Sequence, residues 1–542
     1  MRQKGTWLVR QVERRFSRKV PALTPFYAIR GKNGGGNGNH GNRSKGNHVD
    51  HGNHGGHGKE RPTATGANLA LRDGSRVVVI GGGIAGSAFT RKLLWLTAKE
   101  GLKVEVILVN STSCNYCGGL VTDLSMGTLE VLYGMGIPRD LILSHIDNCV
   151  YVNAEGSESV EVDLPLVSVL RTSRFGYQGF DDSFKERVLL GMEDQASRLR
   201  MVEPTIVTDV TPVPPPGPGR FRITLSRRSK DGLERETFDV DLVVMATGLR
   251  SINTPMFRKF QEITGYKGPA VMDASVTEVD TSRAVHNRLE HQILLVDRII
   301  PHCMVALIPK AKNWLTVTSL EKVLTVEDVE KVFAHPAIKE YIDLAEPTKS
   351  LRCGRICRAN VFTGHAGNLC GDGWVVLGDL TGYGRVLKDG YFAALYGARL
   401  AAATAVYHGI SGRDFERHYC KPIRRIAWDN RVGMFLFRLN SRLSTKKWFR
   451  RWLLATLRRE KQRNHYGGPV HSAIRALTTG VLSYKWITGL FVIGLAGYLF
   501  QWPWTGWRNR RRGEHNFAQP VDTGISAGAG SSVDNKHMGE EK

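Results

Sequence analysis

Val77-Val78-Val79-Ile80-Gly81-Gly82-Gly83-Ile84-Ala85-Gly86 decides how the chain folds. A short all-apolar run is what a parallel strand buried on both faces requires. The glycines let the backbone turn tightly and approach a pyrophosphate at the start of the apolar helix that follows. Gly81, Gly83 and Gly86 fit the spacing G-x-G-x-x-G, with Ile84 and Ala85 inside it. The next apolar run, Val104 to Val109, ends in Asn110, where a ribose-binding acid normally sits. An amide still bonds a hydroxyl, but it lacks the charge that makes a carboxylate a strong acceptor.

Working outward, two more apolar runs end in glycine turns. Asp241 to Ala246 closes in Thr247-Gly248, and Trp374 to Leu377 closes in Gly378-Asp379. The latter leads through Gly382, Gly384 and Lys388-Asp389-Gly390 into an Ala-rich helix, Tyr391 to Tyr407. Three such ends are what a sheet holding an extended dinucleotide presents; a nicotinamide site alone explains only the first. Between them the pattern predicts strands over 150–170 ending in Leu170-Arg171, and a helix from Phe180 to Leu199. Strands follow at Thr205–Val210 and Arg220–Leu225. Residues 253–369 read as a substrate domain, with strands near 292–297, 303–308 and 314–319 and a helix over 326–344. The Cys-x-x-Cys of Cys114 and Cys117 invites a zinc reading, but the spacing of Cys353 and Cys357 does not supply a matching second pair. The glycines after it, Gly118 and Gly119, suit backbone pressed against a flat ring.

In order and kind, Gly81 to Gly86, Leu170-Arg171, Ala246-Thr247-Gly248 with Ser251, and Gly378-Asp379 resemble the flavoprotein superfamily of geranylgeranyl reductases and para-hydroxybenzoate hydroxylase-type monooxygenases. The resemblance covers about residues 75 to 415. It implies an α/β fold: a Rossmann-like FAD-binding domain over 73–415, with an antiparallel-sheet substrate domain mainly at 253–369. FAD would be met by the first turn, Asn110, Gly118, Gly119, Arg171, Thr247, Gly248, Asp379 and Gly382, with Asp379 bonding the ribityl chain. Cys117-Gly118-Gly119-Leu120 is similar to the Cys-Gly-Gly segment of the reductases. Cys117 and Lys388 are the residues placed nearest the chemistry; an ammonium at Lys388 favours the anionic edge of a reduced flavin. The chain departs from the family at Thr247, which replaces an acid, and at Met304-x-Ala306-x-Ile308-Pro309, where the reductases carry an aromatic motif.

The 542 residues carry a formal charge of +24, which suggests an anionic partner. Its distribution selects lipid. Residues 1–30 are basic, with Leu8, Val12, Phe16 and Val20 at helical spacing, as in a membrane-surface helix or an organelle-targeting segment; the Gly/Asn/His-rich 31–72 reads as a flexible linker. In 421–463, within a basic helical region 416–480, fourteen Lys and Arg stand against Asp429 and Glu460. Trp448, Phe449, Trp452, Leu453 and Leu457 run through it as expected lipid anchors. The uncharged 486–504 is flanked by tryptophans and has the length of a transmembrane helix; 513–542 reads as a disordered tail. No nucleic-acid module is visible. Eight cysteines in a chain this long, with no secretory signal, point to a reducing compartment.

These features and the resemblance together imply a membrane-associated FAD oxidoreductase with its catalytic domain on the cytoplasmic side, of an organelle membrane if the cell is eukaryotic. It would reduce carbon–carbon double bonds of an isoprenoid or other lipid, with electrons from NAD(P)H or a reduced electron-carrier protein. Two alternatives stay open: a lipid monooxygenase, and a flavin-binding membrane electron carrier.

Overall fold

The computed structural model describes residues 69–497 apart from 112–118, 162–166, 172–177, 215–219, 230–231, 312, 353, 385–389, 464–467 and 481. The segment 1–30, the linker up to residue 68 and the tail from 498 lie outside the described residues.

The opening run forms the strand Arg76–Ile80 at the centre of a six-stranded sheet. Glu105–Val109 and then Leu199–Val202 lie on one side of it, and Leu242–Met245 and then Trp374–Val376 on the other, all paired in parallel. Val77, Val78 and Val79 are fully buried: helix Ile84–Lys99 packs on the sheet, and Val210, Phe221, Ile223 and Leu225 join the same core. The helix Ile84–Lys99 packs along the Ala-rich helix Gly390–Tyr407, whose small side chains permit close approach. One core runs through this sheet and both helices.

A three-stranded antiparallel sheet, Ile206–Pro212, Phe221–Ser229 and Gly232–Val240, leads into the strand at 242. Its third strand is mostly exposed and polar, so no hydrophobic alternation marks it in the sequence. The helix expected from Phe180 to Leu199 is corrected: α-helix spans only Phe180–Glu186, and Gly191 at φ +74° turns the chain. A 3-10 turn, Glu193–Arg198, then leads into the strand Leu199–Val202.

The second large sheet has seven strands, and the hairpin Asn148–Asn153 and Gly156–Glu161 forms one edge of it. The sheet built mainly from 253–369 thus takes in two strands from earlier in the chain. The helix expected over 326–344 ends at Ala334, because Pro336 holds His335 extended; Pro336–Lys339 adds one turn before the short strand Ile342–Asp343.

After the Ala-rich helix come Lys421–Leu443, Lys447–Arg463 and Pro469–Thr479, then helical residues 484–497. The reading of the tryptophans and leucines here is also corrected. Trp452, Leu453 and Leu457 are buried against Tyr151 and Val160 of the 148–161 hairpin, whereas Trp448 is 61% exposed. Several of the cations serve the same contact: Arg450 and Arg451 pair with Glu155, and Arg458 and Lys461 with Glu158. Helix 484–497 packs through Ile487 and Tyr484 on Ala473 and Ala476. Among the described residues no helix is long and apolar enough to cross a membrane; residues 498–504 of the expected span lie outside them.

Candidate functional site

Three chain turns meet at the carboxyl edge of the parallel sheet. Hydrogen bonds carry the strand registers beyond the strand ends: Gly81 N donates to Val109 O (2.9 Å), Ala246 N to Ile80 O (2.8 Å), and Leu377 N to Met245 O (2.9 Å). The turns are thus fixed against one another before any ligand arrives.

Within the first turn the glycines have different tasks. Gly81 sits at φ +111°, and a β-carbon there would lie 2.4 Å from Ala246 O; one on Gly86 would lie 1.9 Å from Gly81 O. These two close the turn on protein. Gly83 faces open space, and it is the N-cap of Ile84–Lys99 with no side-chain cap. An uncapped helix start with room beside it suits an anionic group, because the first N–H groups have no intrahelical partner. Ile84 and Ala85 open that helix; the Ala85 methyl is where a β-carbon on Gly378 would collide, at 3.0 Å, so the first and third turns touch.

Gly248 stands at φ +70° with nothing within 4 Å of its β-carbon direction, while Thr247 bonds Ser251 Oγ at 2.5 Å. Asp379 lies in the 3-10 turn Gly378–Thr381, which ends in Gly382 at φ +65°. Its carboxylate is open to solvent, yet surrounding protein desolvates it enough to raise its pKa above the usual range.

Asn110 lies beside Gly82, accepting from Gly82 N at 3.1 Å and donating through Nδ2 to Glu203 Oε1 at 2.8 Å. Glu203 in turn accepts from Lys185 Nζ at 2.5 Å. Neither Glu203 nor Lys185 stands out in the sequence, because the strand that brings Glu203 here is short and half exposed. Gly119 is buried and accepts from Leu170 N at 2.6 Å. Arg171 ends the same small sheet and pairs with Asp140 at 3.0 Å. Cys117, Gly118 and Lys388 lie outside the described residues.

Next to Gly382 opens a cavity of about 320 Å³, bounded by Thr363, His365, Asn430, Met434 and Phe435, with Arg431 and Arg438 at its lining. His365 stacks on Tyr383 at 4.8 Å and donates through Nδ1 to Gly382 O at 3.0 Å. Asn430 Nδ2 donates to Gly384 O. The helix Lys421–Leu443 thereby forms one wall of the cavity. As to metals, Cys370, Glu416 and Cys420 bring ligand atoms within 4.8 Å of one another, but Arg424 already holds the Glu416 carboxylate through both oxygens.

No protein-family model matches the chain, and no curated protein is similar to it in sequence. Its fold is similar to solved structures. A geranylgeranyl bacteriochlorophyll reductase-like protein from Thermoplasma acidophilum has a TM-score of 0.50 at 15% identity, over 67% of this chain and 87% of that one. A flavoprotein/dehydrogenase from Cytophaga hutchinsonii has a TM-score of 0.48 at 15% identity, covering 75% and 92%. The p-nitrophenol 4-monooxygenase of Pseudomonas putida has one of 0.46 at 13% identity, covering 77% and 99%. At such identity the likeness is one of fold alone.

Proposed function

We propose that the chain is a FAD-dependent oxidoreductase working at a lipid surface, reducing carbon–carbon double bonds of an isoprenoid or other long lipid with electrons from NAD(P)H or a reduced carrier protein. The observation that carries this reading is the convergence of the three turns on the uncapped helix start and the accessible Asp379, directly beside the cavity at Gly382. FAD, when bound, supplies hydride transfer.

The residues present fit that group. Gly83 and the start of Ile84–Lys99 leave room and unpaired donors for a pyrophosphate, and Asp379 offers an acceptor to a polyol. Met434 and Phe435 give the cavity an apolar wall for hydrocarbon, while His365 and Asn430 hold the Gly382–Gly384 segment in place. Arg431, Phe435, Arg438, Leu439 and Arg442 recur at spacings that put them on one exposed side of Lys421–Leu443. Cations and apolar groups mixed on one exposed stripe suit an anionic bilayer, so the lining of the cavity continues into the surface that would meet the lipid. The double-bond reading draws on the fold shared with the Thermoplasma protein and on Cys117-Gly118-Gly119 in the sequence.

The test is incubation of the purified, flavin-loaded protein with a polyprenyl lipid and a reductant under nitrogen, followed by mass analysis. A gain of two hydrogens per double bond supports the reading. A gain of oxygen that requires air identifies a monooxygenase, and a reducible flavin with no change in any lipid identifies an electron carrier.

A further inference from the structure

The nucleotide edge of the site has its charge in an unexpected place. Parallel pairing sets Val109 beside Val202, so the residues after them, Asn110 and Glu203, emerge together at the same edge of the sheet. The backbone holds them there: Asn110 N donates to Val202 O at 3.1 Å, and Thr205 N to Asn110 O at 3.0 Å. The Asn110 amide is fully oriented, because Gly82 N can only donate to its oxygen and the Glu203 carboxylate can only accept from its nitrogen. On the far side Lys185, almost buried, holds the other Glu203 oxygen and also reaches Asp182 at 3.3 Å. Burial alone would lower the Lys185 pKa, but its bonds and attraction to Glu203 and Asp182 outweigh that and raise it, so the ammonium keeps its charge.

We propose that Glu203 is the ribose acceptor of this nucleotide site: a carboxylate from the neighbouring strand takes the part that position 110 has lost, with Asn110 and Lys185 as its positioning residues. The inference rests on the FAD reading. Glu203 is suited to the role because its side chain keeps 29% exposure next to the glycine turn. Two of its roughly four lone-pair sites are taken, by Asn110 and Lys185, leaving capacity for a ribose diol. The same arrangement explains how Asn110 is tolerated at the strand end. A second carboxylate at 110 would lie within hydrogen-bonding distance of Glu203, and two like charges that close raise one another's pKa.

The experiment moves the charge back. Flavin affinity is measured by fluorescence on apoprotein reloaded with FAD, with thermal unfolding of the apoprotein as the control for folding. Glu203→Gln is expected to weaken FAD binding roughly ten-fold or more, the range for a lost charge-assisted bond. Asn110→Asp combined with Glu203→Gln returns a carboxylate to the edge with an amide beside it, and should recover most of the loss. Wild-type affinity in the single variant, or a double variant no better than the single one, overturns the proposal. A wild-type chain that takes up no FAD at all overturns the cofactor reading and this inference with it. If Glu203→Gln fails to fold, the comparison moves to the wild-type apoprotein with ADP and 2′,3′-dideoxy-ADP. Weaker binding of the dideoxy form supports the proposal, and equal affinity overturns it.

Discussion

The backbone of Gly86 presses on Gly81 so closely that a β-carbon on Gly86 would sit 1.9 Å from the Gly81 carbonyl oxygen, whereas one on Gly83 would meet nothing within 4 Å. Two positions of one motif are thus glycine for different reasons. Gly86→Ala should disturb the turn itself, lowering both thermal stability and flavin content. Gly83→Ala has an ordinary φ of −71° and free space, so it should cost no more than about 1 kcal/mol, the disadvantage of Ala against Gly at an N-cap. It should still cut FAD affinity, because the methyl fills the room assigned to the pyrophosphate. Equal flavin affinity in Gly83→Ala and wild type would place the phosphates elsewhere.

Asp379 gives a prediction with opposite signs for stability and binding. Protein around its carboxylate raises its pKa in the folded chain, so its contribution to apoprotein stability is fully present below the unfolded value of 3.8 and is lost as pH rises through the folded value. Asp379→Asn removes that ionisation. The variant apoprotein should melt higher than wild type at pH 7, with the gain disappearing toward pH 3, yet bind FAD more weakly. Thermal scans at several pH values together with flavin titration check both halves; a variant that is destabilised at pH 7 would refute the assignment.

How much of this was legible in the sequence depends on what carried each signal. The buried strands at 76, 105, 242 and 374 were visible because parallel strands covered on both faces read as unbroken apolar runs, and their turns because glycine is the residue they need. Glu203 was not, since its place depends on Leu199–Val202 joining the sheet, and that short strand alternates too little to separate from a helix end. The cavity beside Gly382 was equally hidden: it is assembled from Thr363, His365 and Asn430, far apart in sequence and each unremarkable alone. The anchors of 447–463 were misread because an amphipathic helix shows that it has an apolar face without showing what covers it. Here that cover is the 148–161 hairpin.

The helix Val326–Ala334 begins with a capping box, in which Thr325 Oγ1 accepts from Asp328 N and Asp328 Oδ2 accepts from Thr325 N. Burial alone would raise the Asp328 pKa, but bonds from Lys322 and the Thr325 backbone hold it below its usual value. A depressed acid stabilises above its unfolded pKa and loses that contribution as pH falls through the folded one. Asp328→Ala should therefore cost about 1 kcal/mol at pH 7, and wild type and variant should converge below pH 3.8. A difference independent of pH would assign the loss to packing instead of to the box.

The last prediction separates the two uses of the C-terminal helices. Leu457 is completely buried against the hairpin that contains Val160, so Leu457→Ala should destabilise the fold by roughly 2–5 kcal/mol. It should leave vesicle binding by the folded fraction unchanged. Trp448 and Trp486 are 61% and 64% exposed, on helices whose other side chains already fill the core. Replacing both with Ser should shift stability little, since exposed side chains lose few contacts. If these tryptophans enter the headgroup region, the same pair of changes should release the protein from anionic vesicles, as should high salt acting on the neighbouring cations. Co-sedimentation of a 69–497 chain with vesicles of phosphatidylcholine and phosphatidylserine makes the measurement on the described helices alone. Binding that survives both tryptophan changes would leave the exposed apolar side chains without a role at the membrane, and would return the lipid contact to the segments on either side.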